Sequence, residues 1–174
     1  MSRSRCGNKD PPLSFSKNTV RSLGLKWSRS TLTWSLRNYS PRIGAAESQR
    51  IIQQAFDAWF QHIPLDVKDH GDGYHFDGPG GTLAHAYYPE DGRIHFDMDE
   101  PWTNSYDGYN INLYVVAVHE IGHALGVEHV FEKTSIMYPR RKQRAGTWDF
   151  GAIIRLSLTT FDRTYVKEDD RSET

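Results

Sequence analysis

His119-Glu120-Ile121-Gly122-His123-Ala124-Leu125-Gly126-Val127-Glu128-His129 is the stretch on which the reading of the fold turns. Residues four apart share one face of a helix, so a helix here aims the His119 and His123 imidazoles at a common point. Gly126 stands where that helix has to stop. Glycine accepts the left-handed backbone that turns the chain and carries His129 toward the same point. Three neutral nitrogen donors leave one tetrahedral corner open, the arrangement of a catalytic zinc rather than a closed structural one. Glu120, beside the first donor, is expected to face that corner as a general base for water.

The full H-E-x-x-H-x-x-G-x-x-H pattern fixes more than a surface histidine pair does. Met137 follows eight positions after His129, within Ser135-Ile136-Met137-Tyr138-Pro139. Together these resemble the metzincin pattern, in which a structural Met-turn runs beneath the zinc ligands. Val130, directly after the third histidine, matches none of the residues that mark the metzincin branches, so the branch is assigned from other segments.

At 174 residues the chain can bury one sizeable core, and a single domain is expected. A formal net charge of -1 and a sequence pI near 6.7 give no electrostatic reason to expect nucleic acid or an anionic membrane as partner. No apolar run approaches the roughly 18 residues that span a bilayer, and Met1-Ser2-Arg3-Ser4-Arg5 lacks the apolar centre of a signal peptide. The expectation is therefore either a cytosolic zinc-binding scaffold or a piece of a longer secreted protein. A lone cysteine, Cys6, cannot form an internal disulfide.

Cys6 lies in Arg5-Cys6-Gly7-Asn8-Lys9-Asp10. A thiolate is a strong zinc ligand and could take the open corner, displacing water. The segment resembles the cysteine switch of matrix metalloproteinases, P-R-C-G-x-P-D, in which a propeptide cysteine keeps the zymogen latent. Arg5, Cys6, Gly7 and Asp10 match; Ser4 and Lys9 replace both prolines, which removes their backbone stiffening.

Further along, Leu32 to Tyr39 alternates with aromatic and β-branched residues and reads as a strand, similar to the first sheet strand of the matrixin catalytic domain. Ala45 to Ile63 places Ile52, Phe56, Trp59, Phe60 and Ile63 at helical spacing before Pro64, which predicts a long core helix. Only five residues separate Pro64 from His70, where the family places two more strands; Leu65-Asp66-Val67 reads as the stump of one. Ile111 to Val118 is apolar enough to seat the zinc helix in the core.

His70-Gly71-Asp72, Phe76-Asp77-Gly78-Pro79-Gly80-Gly81, Leu83-Ala84-His85-Ala86 and His95-Phe96-Asp97-Met98-Asp99-Glu100 resemble matrix metalloproteinase motifs in the same order. The resemblance implies a structural zinc on His70, Asp72, His85 and His95. It also implies a calcium ion on Asp77, Asp97 and Glu100 with the carbonyls of Gly78, Gly80 and Thr82. Leu83 to Ala86, Ala84 included, corresponds to the edge strand that pairs with substrate backbone. Val115 and Tyr138 correspond to the lining and wall of the S1′ pocket, open to medium or large apolar groups. Other family calcium sites are expected to be absent, since the loop from Tyr88 to His95 is short and Met98 replaces an acidic ligand.

The expected fold is α+β: a metzincin catalytic domain with a twisted mixed sheet, a long helix and the zinc helix, shortened by loss of sheet strands. Residues 1-20 are expected to be a propeptide remnant and 21-150 the catalytic domain. Residues 151-174 are expected to be a divergent tail, in which Ile154, Leu156 and Leu158 alternate like a strand and the acidic end from Lys167 is expected to be disordered. Arg141 to Arg144 fits a basic processing site, but a solvated loop is the stronger reading. The implied activity is zinc-dependent endopeptidase cleavage of extracellular proteins, with tissue-inhibitor-type proteins as partners and Cys6 maintaining latency. The alternative is a truncated, non-catalytic zinc- and calcium-binding variant.

Overall fold

Trp59 decides how the two helices of this protein meet. The computed structural model describes residues 6–8, 27–28, 32, 34–60, 76–107, 109–131 and 135–139. Helix α1 spans Ala45–Phe60 and α2 spans Leu113–Ala124. The Trp59 ring is fully buried, and its indole N–H donates to the carbonyl of Val118 in α2 at 2.8 Å. Ile52, Ala55 and Phe56 line the same face of α1 at helical spacing and pack with Val118, Ile121 and Leu125 of the second helix and its end. The predicted core helix is present as far as Phe60; residues 61–63 lie outside the described chain.

Four short strands complete the described chain: β1 (Ala84–Ala86), β2 (Ile94–Phe96), β3 (Trp102–Thr103) and β4 (Ile111–Asn112). The first pair is antiparallel, with His85 opposite His95, and the second pair is parallel. The architecture is α+β, as expected. Among the described residues the strands form two two-stranded sheets, one antiparallel and one parallel, consistent with the shortened mixed architecture. Trp34 to Ser40 runs without helix or ladder, so the expected strand across Leu32 to Tyr39 is not observed as one. Its alternation is nonetheless used: Leu32 is buried and Trp34 and Leu36 lean on the core, with Trp34 stacked on Phe56 at 5.3 Å between centroids. Alternating side chains can pack without a neighbouring strand, but a ladder needs backbone partners. The stump expected at Leu65 to Val67, and everything expected beyond Pro139, lie outside the described residues.

Helix α2 is cut to length by its two ends. Asn112 caps the start, its side-chain oxygen accepting the Val115 N–H at 3.1 Å. At the other end Gly126 takes φ 98. Its N–H reaches the carbonyl of His123 at 2.9 Å and the Val127 N–H reaches that of Gly122 at 2.9 Å. This is a Schellman closure, which needs the left-handed residue that glycine supplies. Trp27 adds a clamp, its indole N–H donating to Ala124 O at 3.0 Å.

Candidate metal centre

The turn at Gly126 brings His129 back beside the helix, so His119, His123 and His129 present one ring nitrogen each to a shared space. Cys6 completes the group, and all four donor atoms lie within 4.8 Å of one another. The three imidazoles are buried and Cys6 is half-buried. His119 Nε2 and His129 Nε2 are 3.3 Å apart, and Cys6 Sγ is 3.6 Å from His123 Nε2. An ion held tetrahedrally at about 2.0–2.1 Å from nitrogen and about 2.3 Å from sulfur sets edges of about 3.3–3.4 Å and 3.5–3.6 Å. The donor set and its spacing therefore fit zinc.

Backbone carbonyls decide which nitrogens face inward. The Nδ1–H of His119 donates to Ile136 O at 2.7 Å, and that of His123 to Val127 O at 2.7 Å. Each bond leaves the Nε2 lone pair pointing at the shared space. Burial, followed by the neighbouring His119 and His129, holds the His123 ring well below its usual range, so it stays neutral as a ligand must. Beside them Glu120 is fully buried; burial pushes its carboxyl up to about 8, while a hydrogen bond with Cys6 acts in the opposite direction. Oxygen Oε2 of Glu120 has no hydrogen-bond partner among the described residues.

The floor of the site is the Ser135–Tyr138 turn. Met137 is fully buried, its N–H held by the Ser135 hydroxyl at 3.1 Å and its carbonyl accepting the Val130 N–H at 3.0 Å. Gly122 sits directly against it. A β-carbon at 122 would come within 2.5 Å of Met137 Sδ and 2.8 Å of Trp59 Cζ2. Val115 is buried in the core cluster, and Tyr138 is partly exposed, its N–H on Ser135 O at 3.2 Å. Sequence reading passed over Gly122, Ile136 O and Val127 O. Only Gly122 carried a signal, because a glycine inside a helix weakens it and calls for a packing reason.

Strand β1 forms the wall above the metal position. Ala84 is buried; it bridges to Cys6 in parallel, and its carbonyl accepts the Gly7 N–H at 2.8 Å. The other candidate ligands among the described residues are not part of this group. His85 Nε2 and His95 Nδ1 face each other at 3.0 Å across the first sheet, whereas His70 and Asp72 are outside the described residues. Asp77 accepts the Thr82 N–H at 2.7 Å, Glu100 the Gly80 N–H at 2.8 Å, and the Gly78 carbonyl the Gly81 N–H at 3.3 Å. Asp97 is buried, and its Oδ2 has no hydrogen-bond partner among the described residues.

Comparison with known proteins adds to this geometry. The matrixin family profile matches residues 26–149. The chain is 39% identical to matrix metalloproteinase-16 of Mus musculus over 171 residues, covering 80% of this chain and 28% of that protein. It is 42% identical to neutrophil collagenase of Homo sapiens over 133 residues, covering 66% of this chain and 28% of the relative. With macrophage metalloelastase of Rattus norvegicus the identity is 43%, over the same shares. The chain thus spans about 28% of the length of these relatives. In each case the aligned length exceeds the residues this chain contributes, so the relatives carry segments that it lacks.

Proposed function

The chain belongs to the matrixin family, and from that premise we propose that it is a zinc-dependent endopeptidase held latent by its own amino-terminal segment. The single observation behind this reading is the convergence of three imidazoles and one thiol within 4.8 Å of one another, with the buried Glu120 carboxyl next to His119 in the chain. His119, His123 and His129 would hold zinc, which would supply Lewis-acid polarisation of a scissile carbonyl and lower the pKa of water. Cys6 would cap the site with its thiol in the latent form and withdraw on activation.

The chain's own residues do the rest. Glu120 takes the proton of the attacking water and delivers it to the leaving amine. Its burial, which raises its proton affinity, suits a group that must both accept and return a proton. The β1 edge at Ala84 and Ala86 pairs with an extended substrate backbone by β-augmentation. Val115 and Tyr138 bound the pocket for the side chain beyond the cleaved bond. Met137 and Ile136 hold the first imidazole from below.

Two further ions belong to this reading. His85 and His95, with His70 and Asp72, would hold a structural zinc. Asp77, Asp97 and Glu100, with the carbonyls of Gly78, Gly80 and Thr82, would hold calcium; the buried, unpartnered Asp97 oxygen is the kind of group a hard cation satisfies. Residues 1-20, 21-150 and 151-174 would serve as propeptide remnant, catalytic domain and tail. Extracellular proteins are the proposed substrates, tissue-inhibitor-type proteins the proposed partners and the extracellular space the proposed location.

The test is a fluorogenic peptide assay after thiol-modifying activation. Cleavage that appears on activation and vanishes with chelator supports the enzyme. Zinc bound without turnover supports the non-catalytic variant, the reading that the segments this chain lacks raise.

A further inference from the structure

The outward face of α1, the loop between β3 and β4 and the start of α2 enclose an open groove of about 480 Å³. None of its lining residues is a donor of the candidate metal centre. Its size is that of a ligand site, roughly 300–1,000 Å³. Polar bonds brace its walls. Asn104 Nδ2 donates to Glu47 Oε1 at 3.1 Å and ties the loop to α1. Asn112 Nδ2 donates to the Ser105 carbonyl at 3.1 Å and ties the loop to the cap of α2. Asp107 accepts the backbone N–H groups of Tyr109 and Asn110 at 2.9 and 2.8 Å, closing the loop on itself. Tyr106 is thereby presented on a braced turn with its ring 43% exposed.

The charges around the groove do not cancel. Arg50 lines it, but its Nε and Nη2 donate to the two carboxylate oxygens of Glu47 at 2.7 and 2.6 Å, so that charge is matched within α1. Asp57 has no such match. Its Oδ1 accepts the neutral Gln53 amide at 2.7 Å, and no cationic side chain bonds to it among the described residues. One uncompensated carboxylate therefore faces the groove. Tyr114 shares its surroundings: burial, then Tyr106 and Asp57, push the Tyr114 hydroxyl above its usual range. A phenol face attracts a cation, and a carboxylate binds a guanidinium through charge-assisted hydrogen bonds. We propose that Asp57, Tyr106 and Tyr114 form a binding site for an arginine side chain of a partner polypeptide, in the groove between α1 and the β3–β4 loop. Guanidinium suits it better than ammonium, because a planar cation can lie on a phenol ring while its several N–H donors reach the carboxylate. The site stands whether or not the chain cleaves peptides.

The experiment titrates the full chain with an acetylated, amidated Gly-Arg-Gly peptide and follows backbone chemical shifts by nuclear magnetic resonance. The peptide carrying citrulline, the neutral isostere of arginine, is titrated in parallel. Arginine should give saturable shifts at Ala58, Tyr106 and Tyr114, and citrulline should bind roughly ten-fold more weakly or worse. Asp57→Asn removes the charge and keeps the shape; it should weaken arginine binding roughly five-fold or more, as should Tyr106→Ala. Tyr106→Phe retains the ring and should stay within about two-fold of wild type. Asp57 and Tyr106 are both exposed, and an otherwise wild-type spectrum shows that each variant is folded. Equal affinity for the citrulline peptide, or undiminished arginine binding in Asp57→Asn, overturns the site. So does the absence of groove shifts at about 50 mM peptide, a concentration that fills even a site of millimolar affinity.

Discussion

The Nδ1–H of His119 donates to the carbonyl of Ile136 at 2.7 Å, so the turn that buries Met137 also orients the first imidazole of the candidate metal centre. Support and chemistry are coupled through one hydrogen bond.

Replacing Met137 tests that coupling. Met137→Ala empties a fully buried site and should cost about 2–5 kcal/mol of stability. It should also weaken zinc binding by roughly ten-fold or more as the Ile136 carbonyl shifts. Met137→Leu keeps the volume and should cost less than about 1.5 kcal/mol with zinc affinity retained. Urea denaturation and competitive zinc titration of the two variants would separate packing from ligand orientation.

Gly122 is the second support. A methyl group at this position meets Trp59 Cζ2 at 2.8 Å as well as the Met137 thioether. Methionine can bend aside, but the indole is pinned by its bond to Val118 O. Gly122→Ala should therefore destabilise the fold by about 1–3 kcal/mol, although alanine is intrinsically the better helix former. A denaturation midpoint equal to or above wild type would show that the two helices can separate without cost.

These two residues also mark how far the sequence could be read. The spacing of His119, His123 and His129 and the stop at Gly126 were legible, because helix period and glycine backbone freedom act locally. The Asn112 cap and the apolar face of α1 follow from the same local rules. Ile136 O and Val127 O were not legible, since every residue has a carbonyl and only tertiary placement selects one. The Asn8 side chain exchanges two hydrogen bonds with the Ala86 backbone at 3.0 Å, a pairing that depends on where a distant segment comes to rest on β1. Trp34 to Ser40 alternates as a strand does, yet alternation reports burial and says nothing about which backbone will lie alongside.

Glu120 should be separable from metal binding. Glu120→Gln keeps the shape of a side chain that stands beside the donors but cannot shuttle a proton. Peptide turnover of the activated protein should fall by about 10²–10⁴-fold, with zinc content unchanged by elemental analysis. Turnover within a few-fold of wild type would remove Glu120 from the proposed role.

Acid should act through His123. Its folded-state proton affinity lies well below the ordinary value of 6.5 because the ring is buried. Below that value the unfolded chain takes up a proton that the folded chain refuses, so stability is lost as pH falls. The melting temperature should hold above about pH 6.5 and then decline as pH drops. A flat profile from neutrality to pH 5 would indicate that the ring is solvated or already charged.

The most direct measurement is zinc-edge X-ray absorption on the unactivated chain and on Cys6→Ser. Ligation by Cys6, His119, His123 and His129 predicts a sulfur scatterer at about 2.3 Å beside nitrogen at about 2.0–2.1 Å. That sulfur signal should disappear in Cys6→Ser, while the nitrogen shell and stoichiometric zinc remain. A wild-type spectrum without sulfur, or protein that holds no stoichiometric zinc, would contradict the assignment.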